Sequence, residues 1–176
     1  MKKLTLSILV LGALFGTSVQ ANNTITFAGE VSDQTCEVAI NGNAATPLVL
    51  LPTVSTVELA TAGAVAGETP FTLSVSGCTV NATKALPIKT VFYSNNITAG
   101  GNLVNTGSAT NVALQILESV GGAGIDLTIG NAIDGLNVAA GESSASHDFA
   151  VRYISETGSA TAGRVISTVQ YLITYL

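Results

Sequence analysis

Few side chains in this sequence are equipped for acid, base or metal chemistry. There is one histidine, His147, followed directly by Asp148. A serine-hydrolase device needs nucleophile, imidazole and carboxylate to converge in space, and adjacency of two of them does not supply that. His147 therefore reads as a loop or strand-edge residue. Zinc and copper sites need several His, Cys or carboxylate ligands together. One histidine and two distant cysteines do not provide them. The run Gly121-Gly-Ala-Gly124 lacks the lysine of a phosphate-binding loop and reads as a flexible turn. No catalytic residue, metal ligand or cofactor is expected.

What remains is thiol chemistry, at Cys36 and Cys78. The start of the chain sets their compartment. Met1-Lys2-Lys3 precedes a short apolar run, Leu4 to Phe15, and Gly16 to Ala21 then carries small residues at Val19 and Ala21. That is the pattern of a secretory signal peptide, with cleavage after Ala21. A spanning helix takes about 20 apolar residues, and this run is shorter and rich in Gly, Ser and Thr. An even cysteine count behind such a leader predicts one Cys36–Cys78 disulfide in an oxidising compartment. Two separate buried thiols are the alternative.

Removing 1–21 leaves about 155 residues, enough for one domain with a real core. Lys2 and Lys3 leave with the leader. Lys84, Lys89, Arg152 and Arg164 then face 11 acidic residues, so the chain is acidic and has no basic patch for nucleic acid. Small and neutral residues dominate, which suits a sandwich whose surfaces pack against copies of themselves.

The elements that position these residues are strands. Apolar residues recur at period two, predicting strands at Thr24–Val31, Thr35–Ile40, Pro47–Leu51, Val54–Leu59, Phe71–Ser76, Leu86–Tyr93, Val112–Glu118, His147–Ser155 and Arg164–Leu176. Gly- and Asn-rich pieces separate them, including Asn41-Gly-Asn43, Asp134-Gly135 and Thr157 to Gly163. This punctuation indicates an all-β sandwich, with no internal repeat and no interdomain linker. Ala60–Gly67 is the stretch that admits a short helical turn.

Both ends of the mature chain alternate cleanly. Ile25, Phe27, Gly29 and Val31 share one face of the first strand, opposite Thr24, Thr26, Ala28, Glu30 and Ser32. A glycine inside a strand weakens it unless another backbone or side chain must come close. At the other end Val165, Val169, Tyr171, Ile173 and Tyr175 share a face, with Ser167 its polar member. β-Branched and aromatic residues dominate there, as in a strand. A terminal strand either pairs on both sides or leaves an open apolar edge, a liability unless another chain fills it.

These ends resemble those of chaperone–usher pilins of Gram-negative bacteria. The matching features are Gly163, fourteen residues from the end, the penultimate Tyr175, and the alternating Val169, Tyr171 and Ile173 between them. The stretch Thr24-Ile-Thr-Phe-Ala-Gly-Glu-Val31, followed by Cys36, is similar to the family's N-terminal extension and first strand. The resemblance implies an incomplete immunoglobulin-like β-sandwich lacking its last strand. It divides the chain into a signal peptide at 1–21, a donor-strand extension at 22–33 and a pilin domain at 34–176. It implies that Ile25, Phe27, Gly29 and Val31 plug the groove of a neighbouring subunit, Gly29 meeting a constricted pocket. Gly163, Val165, Val169, Tyr171, Ile173 and Tyr175 would belong to the groove and its recognition by a chaperone, and the Leu176 carboxylate would be held by basic residues of that chaperone. The disulfide sits where the family places one. The implied partners are neighbouring pilin subunits, a periplasmic chaperone and an outer-membrane usher, and the implied destination is a fimbria at the cell surface.

The expected function is thus a structural fimbrial subunit, a major pilin, that polymerises by donor-strand exchange and contributes to adhesion. A minor adaptor, or a single-domain subunit that binds a host-surface receptor, is the alternative. A two-domain tip adhesin does not fit the length, and the chain has no tryptophan for stacking on sugars. The sequons at Asn22, Asn81 and Asn96 read as incidental in a bacterial protein.

Overall fold

The structure, a computed structural model, describes residues 36–175. The expectations for the leader, for the N-terminal strand with Ile25, Phe27, Gly29 and Val31, and for Leu176 lie outside those residues. Eight strands follow in order: β1 (Glu37–Ile40), β2 (Ala64–Ser76), β3 (Leu86–Tyr93), β4 (Leu103–Val104), β5 (Ala113–Leu117), β6 (Ala132–Val138), β7 (Ala145–Ser155) and β8 (Gln170–Thr174). They form a five-stranded sheet, β1-β2-β7-β5-β4, and a three-stranded sheet, β6-β3-β8. Every ladder between them is antiparallel.

Period-two patterning builds the core. Phe71, Leu73 and Val75 of β2 are buried while their neighbours Thr72 and Ser74 stay half-buried. Phe149 and Val151 of β7 extend this layer within the same sheet, and Ile88 and Phe92 of β3 with Leu136 and Val138 of β6 form the facing one. Three phenylalanine rings tie the sheets together. Phe92 of the smaller sheet meets Phe149 edge-on at 5.0 Å and Phe71 edge-on at 6.2 Å, and Phe71 stacks on Phe149 at 5.8 Å. Edge-on rings of this spacing add to the burial of their area. The Cys36–Cys78 disulfide forms, joining the residue before β1 to the residue two past β2, and no described cysteine is free. The architecture is the expected all-β, immunoglobulin-like sandwich, with no described strand beyond β8.

Several strand expectations need correcting. Pro47–Leu51 is extended but joins no ladder. Val54–Leu59 contains a helix-like turn instead of a strand: Ser55 N–H donates to Glu58 Oε2 at 2.8 Å, and Val57 N–H to Ser55 Oγ at 3.2 Å. That is the reciprocal logic of a capping box, written in the sequence as Ser-x-x-Glu. The turn falls before Ala60–Gly67, the place expected, and β2 already begins at Ala64. β6 is masked in the sequence by Asp134-Gly135, which reads as a turn but lies within the strand. A Cβ on Gly135 would collide with the His147 ring, so glycine fits at this register shift between β3 and β6. The two-residue β4 carries no periodicity to detect. At the C-terminal end only Gln170–Thr174 of the predicted Arg164–Leu176 pairs as a strand.

Candidate functional site

β8 pairs with β3 along one side, Tyr171 opposite Phe92 and Ile173 opposite Thr90. Among the described residues no strand pairs along its other side. The segment leading into it, 164–169, alternates in burial as a strand does, and Arg164 and Ile166 direct their main chain to the loop after β4. Arg164 carbonyl accepts from Ala109 N–H at 3.1 Å, and Ile166 carbonyl from Thr106 N–H at 2.8 Å. Ile166 N–H donates to Asn105 Oδ1 at 2.8 Å, and Arg164 N–H to Ser108 Oγ at 3.0 Å. Ser94 Oγ donates to Thr168 carbonyl at 3.3 Å. In an extended chain, side-chain direction and hydrogen-bond direction both alternate, so the odd residues turn their main chain to the opposite, unladdered side.

Two glycines allow this approach. A Cβ on Gly163 would collide with the Ala109 main chain, and one on Gly107 with the Arg164 carbonyl. Gly163 is therefore a point of close backbone contact, as glycines within extended segments often are.

Burial follows the same parity. Val165, Ser167, Val169, Tyr171, Ile173 and Tyr175 are half-buried, while Ile166, Thr168, Gln170 and Leu172 are exposed. The inward apolar members pack against the core, yet none is fully covered. Facing them is 47–51, which alternates likewise: Val49 and Leu51 half-buried against the core, Leu48 and Leu50 more than 70% exposed. Among the described residues the main chain of 48–51 makes no hydrogen bond. The segment is pinned beyond its end, where Tyr153 Oη donates to Pro52 carbonyl at 3.1 Å. Partial burial raises the Tyr153 phenol above its ordinary pKa, which keeps this donor protonated.

Between these two edges lies a cleft of about 380 Å³, with Val49, Leu51, Val169 and Tyr171 on its walls and Phe71 and Phe92 below. A smaller depression of about 210 Å³ meets Gly163 and Val165, and a separate one of about 490 Å³, beside Lys84, meets Tyr175. The structure thus brings six of the residues singled out at the C-terminal end onto one line. Sequence reasoning missed the opposite wall as a wall, although the alternation of Val49 and Leu51 was its signal. It also missed Asn105 and Ser108, whose role depends on a loop distant in sequence.

The arrangement offers an apolar trough between unpaired main-chain edges. It can bind an extended strand by shape and main-chain hydrogen bonds, and it presents no acid or base. The other residues with chemical potential lie elsewhere. His147 Nε2 meets the Glu118 carbonyl at 2.7 Å, whereas Asp148 accepts from Thr72 Oγ1 at 2.6 Å on the other side of β7. Among the described residues no group of three or more His, Cys, Asp or Glu is placed to hold a metal.

Residues 25–176 match the family described as fimbrial protein. The chain is 40% identical over 176 residues to the F17 fimbrial protein of Escherichia coli, covering 94% of this chain and 96% of that one. It is 38% identical over 168 residues to the major fimbrial subunit SMF-1 of Stenotrophomonas maltophilia, covering 88% and 93%. A solved chaperone–usher pilus superposes with a TM-score of 0.59 at 16% identity, over 92% of this chain and 99% of that one, a likeness of fold.

Proposed function

The chain belongs to the fimbrial protein family and is a structural subunit of a fimbria exported to the cell surface; from that premise we propose that residues 22–33 of one copy fill the cleft of the next by donor-strand exchange. The observation that carries this reading is the half-buried inward line from Val165 to Ile173, whose central members Ser167, Val169 and Tyr171 line an open cleft between two unladdered edges. Such a slot fits one strand, bonded on both sides. Donor-strand complementation of pilins is one form of strand addition to an open sheet edge, in which main-chain hydrogen bonds give affinity and alternate side chains in pockets give specificity.

On this reading residues 1–21 are a leader, 22–33 the donor and 34–176 the domain. The family match beginning at residue 25 supports a boundary near there. Ile25, Phe27 and Val31 enter the cleft, each burial contributing about 1.5–3 kcal/mol, and Gly29 meets its narrow part. An open apolar edge invites aggregation, so a periplasmic chaperone lends a strand to the slot until an outer-membrane usher exchanges it for the next donor. Basic chaperone residues hold the Leu176 carboxylate. Gly163 to Tyr175 form the recognised edge. The role is structural and without catalysis, supported by the separation of His147 from Asp148. The small, neutral composition and the likeness to a relative named a major subunit favour a major pilin over a minor adaptor or a receptor-binding subunit. Adhesion then follows from the polymer.

Gel mobility of sheared surface material, with and without boiling in detergent, tests this. A ladder that collapses to one subunit band only after boiling is expected. A monomer that runs identically either way overturns the polymer reading.

A further inference from the structure

Ser167 is the polar residue in the inward-facing line that runs from Val165 through Val169 and Tyr171 to Ile173. It is half-buried and lines the cleft above Phe71 and Phe92, and its hydroxyl makes no hydrogen bond to any described residue. The open cleft lets water serve it. A strand laid over the cleft removes that water, and a hydroxyl buried without a partner is penalised. The occupant must therefore spare this point.

Resting on the donor-strand reading above, we propose that Ser167 is a positioning residue that sets the register of the incoming strand, with Gly29 of the neighbouring copy directly opposite it. The donor's inward residues are Ile25, Phe27, Gly29 and Val31. A slip of one residue turns them all outward, so admissible registers differ by two. With Gly29 opposite Ser167 in an antiparallel ladder, Val31 meets Val165, Phe27 meets Val169 and Ile25 meets Tyr171. Shifting by two in either direction lays Phe27 or Val31 over the hydroxyl. Only glycine leaves the hydroxyl space to reach donor main chain or to keep a water. The same register makes the two segments coextensive, Asp33 falling opposite Gly163 and Asn22 opposite Thr174. The antiparallel sense follows every other ladder of the sandwich.

The outward residues read the register without entering the cleft. Directly opposite residues have Cα atoms about 4.5–5.5 Å apart, within disulfide reach, whereas diagonal neighbours lie farther off. The proposed register sets Ala28 opposite Thr168; the shifted ones set it opposite Ile166 or Gln170. All three acceptor positions are exposed. Fimbriae are assembled from Ala28→Cys/Thr168→Cys, Ala28→Cys/Ile166→Cys and Ala28→Cys/Gln170→Cys chains, oxidised, boiled and run without reductant. A covalent ladder at least tenfold stronger for the Thr168 pair is expected. A ladder dominated by Ile166 or Gln170 overturns the register. No ladder from any pair, in polymer that still resists cold detergent, overturns the donor reading and the register with it. Where a double variant does not assemble, a synthetic 22–33 peptide carrying Ala28→Cys, offered to purified subunits that carry one added cysteine beside the native Cys36–Cys78 disulfide, reads the same pairings. Adding Ser167→Val should spread cross-linking to a shifted pair. An unchanged preference for Thr168 overturns Ser167 as the cause and leaves donor-strand exchange standing.

Discussion

Gly163 shows how a residue can be conspicuous in sequence while its reason lies elsewhere. Its distance from the chain end marks it, but its partner is the Ser108–Ala109 main chain, brought alongside by the fold. Gly163→Ala must push the two backbones apart and disturb the hydrogen bonds of Arg164 and Ile166 with that loop. A loss of about 1–3 kcal/mol is expected, as for other overpacked sites, read as a lower urea midpoint at unchanged slope. An unaltered midpoint would show that the loop yields freely. Gly29 makes the complementary case on the proposed donor: Gly29→Leu should block polymerisation while the subunit itself still folds, and normal fibres from that variant would remove the narrow-pocket reading. The cysteine pair, by contrast, was legible without structure, because a count and a leader suffice to predict it.

At the scale of elements, the alternation of a strand proved legible in β3, in β7 and in the Phe71–Ser76 half of β2, where one face packs into the core of the same chain. It also marked 47–51, which has the side-chain pattern of a strand but no ladder among the described residues. Period two reports which face is buried, whereas a strand is defined by main-chain pairing, and here the two separate. Glycine misled in the other direction at β6, where Gly135 bends a strand without ending it. The pin on 47–51 gives a test. Tyr153 donates to Pro52 carbonyl only while its phenol is protonated, and burial raises its pKa. For a group whose folded pKa is raised, the stabilisation is whole below the unfolded value, about 10 for tyrosine, and is lost as pH rises through the folded value. Stability of the wild type should therefore fall in that alkaline window. Tyr153→Phe should lose about 0.5–1.5 kcal/mol at neutral pH and show a shallower alkaline decline than the wild type. Parallel unfolding curves for the two proteins across that window would dissociate the phenol from the wall.

At the scale of the molecule, the proposed donor, residues 22–33, and the cleft beside β8 that it would fill are different parts of one chain. Contacts between unlike surfaces do not close on themselves by symmetry and so build open filaments. Donor and slot can then be separated genetically. A subunit with a second copy of residues 22–33 appended after Leu176 through a flexible linker would fill its own slot, yet its N-terminal donor would remain available. Such a subunit can join the end of a filament and cannot be extended. Co-expressed with the wild type, it should shorten fimbriae in inverse proportion to its share of the subunits, measured as filament length by electron microscopy. A subunit that merely misfolds would instead reduce the number of filaments and leave their lengths alone. Lengths that stay unchanged while the appended subunit is incorporated along the filament would mean that the cleft beside β8 is not where the next subunit attaches.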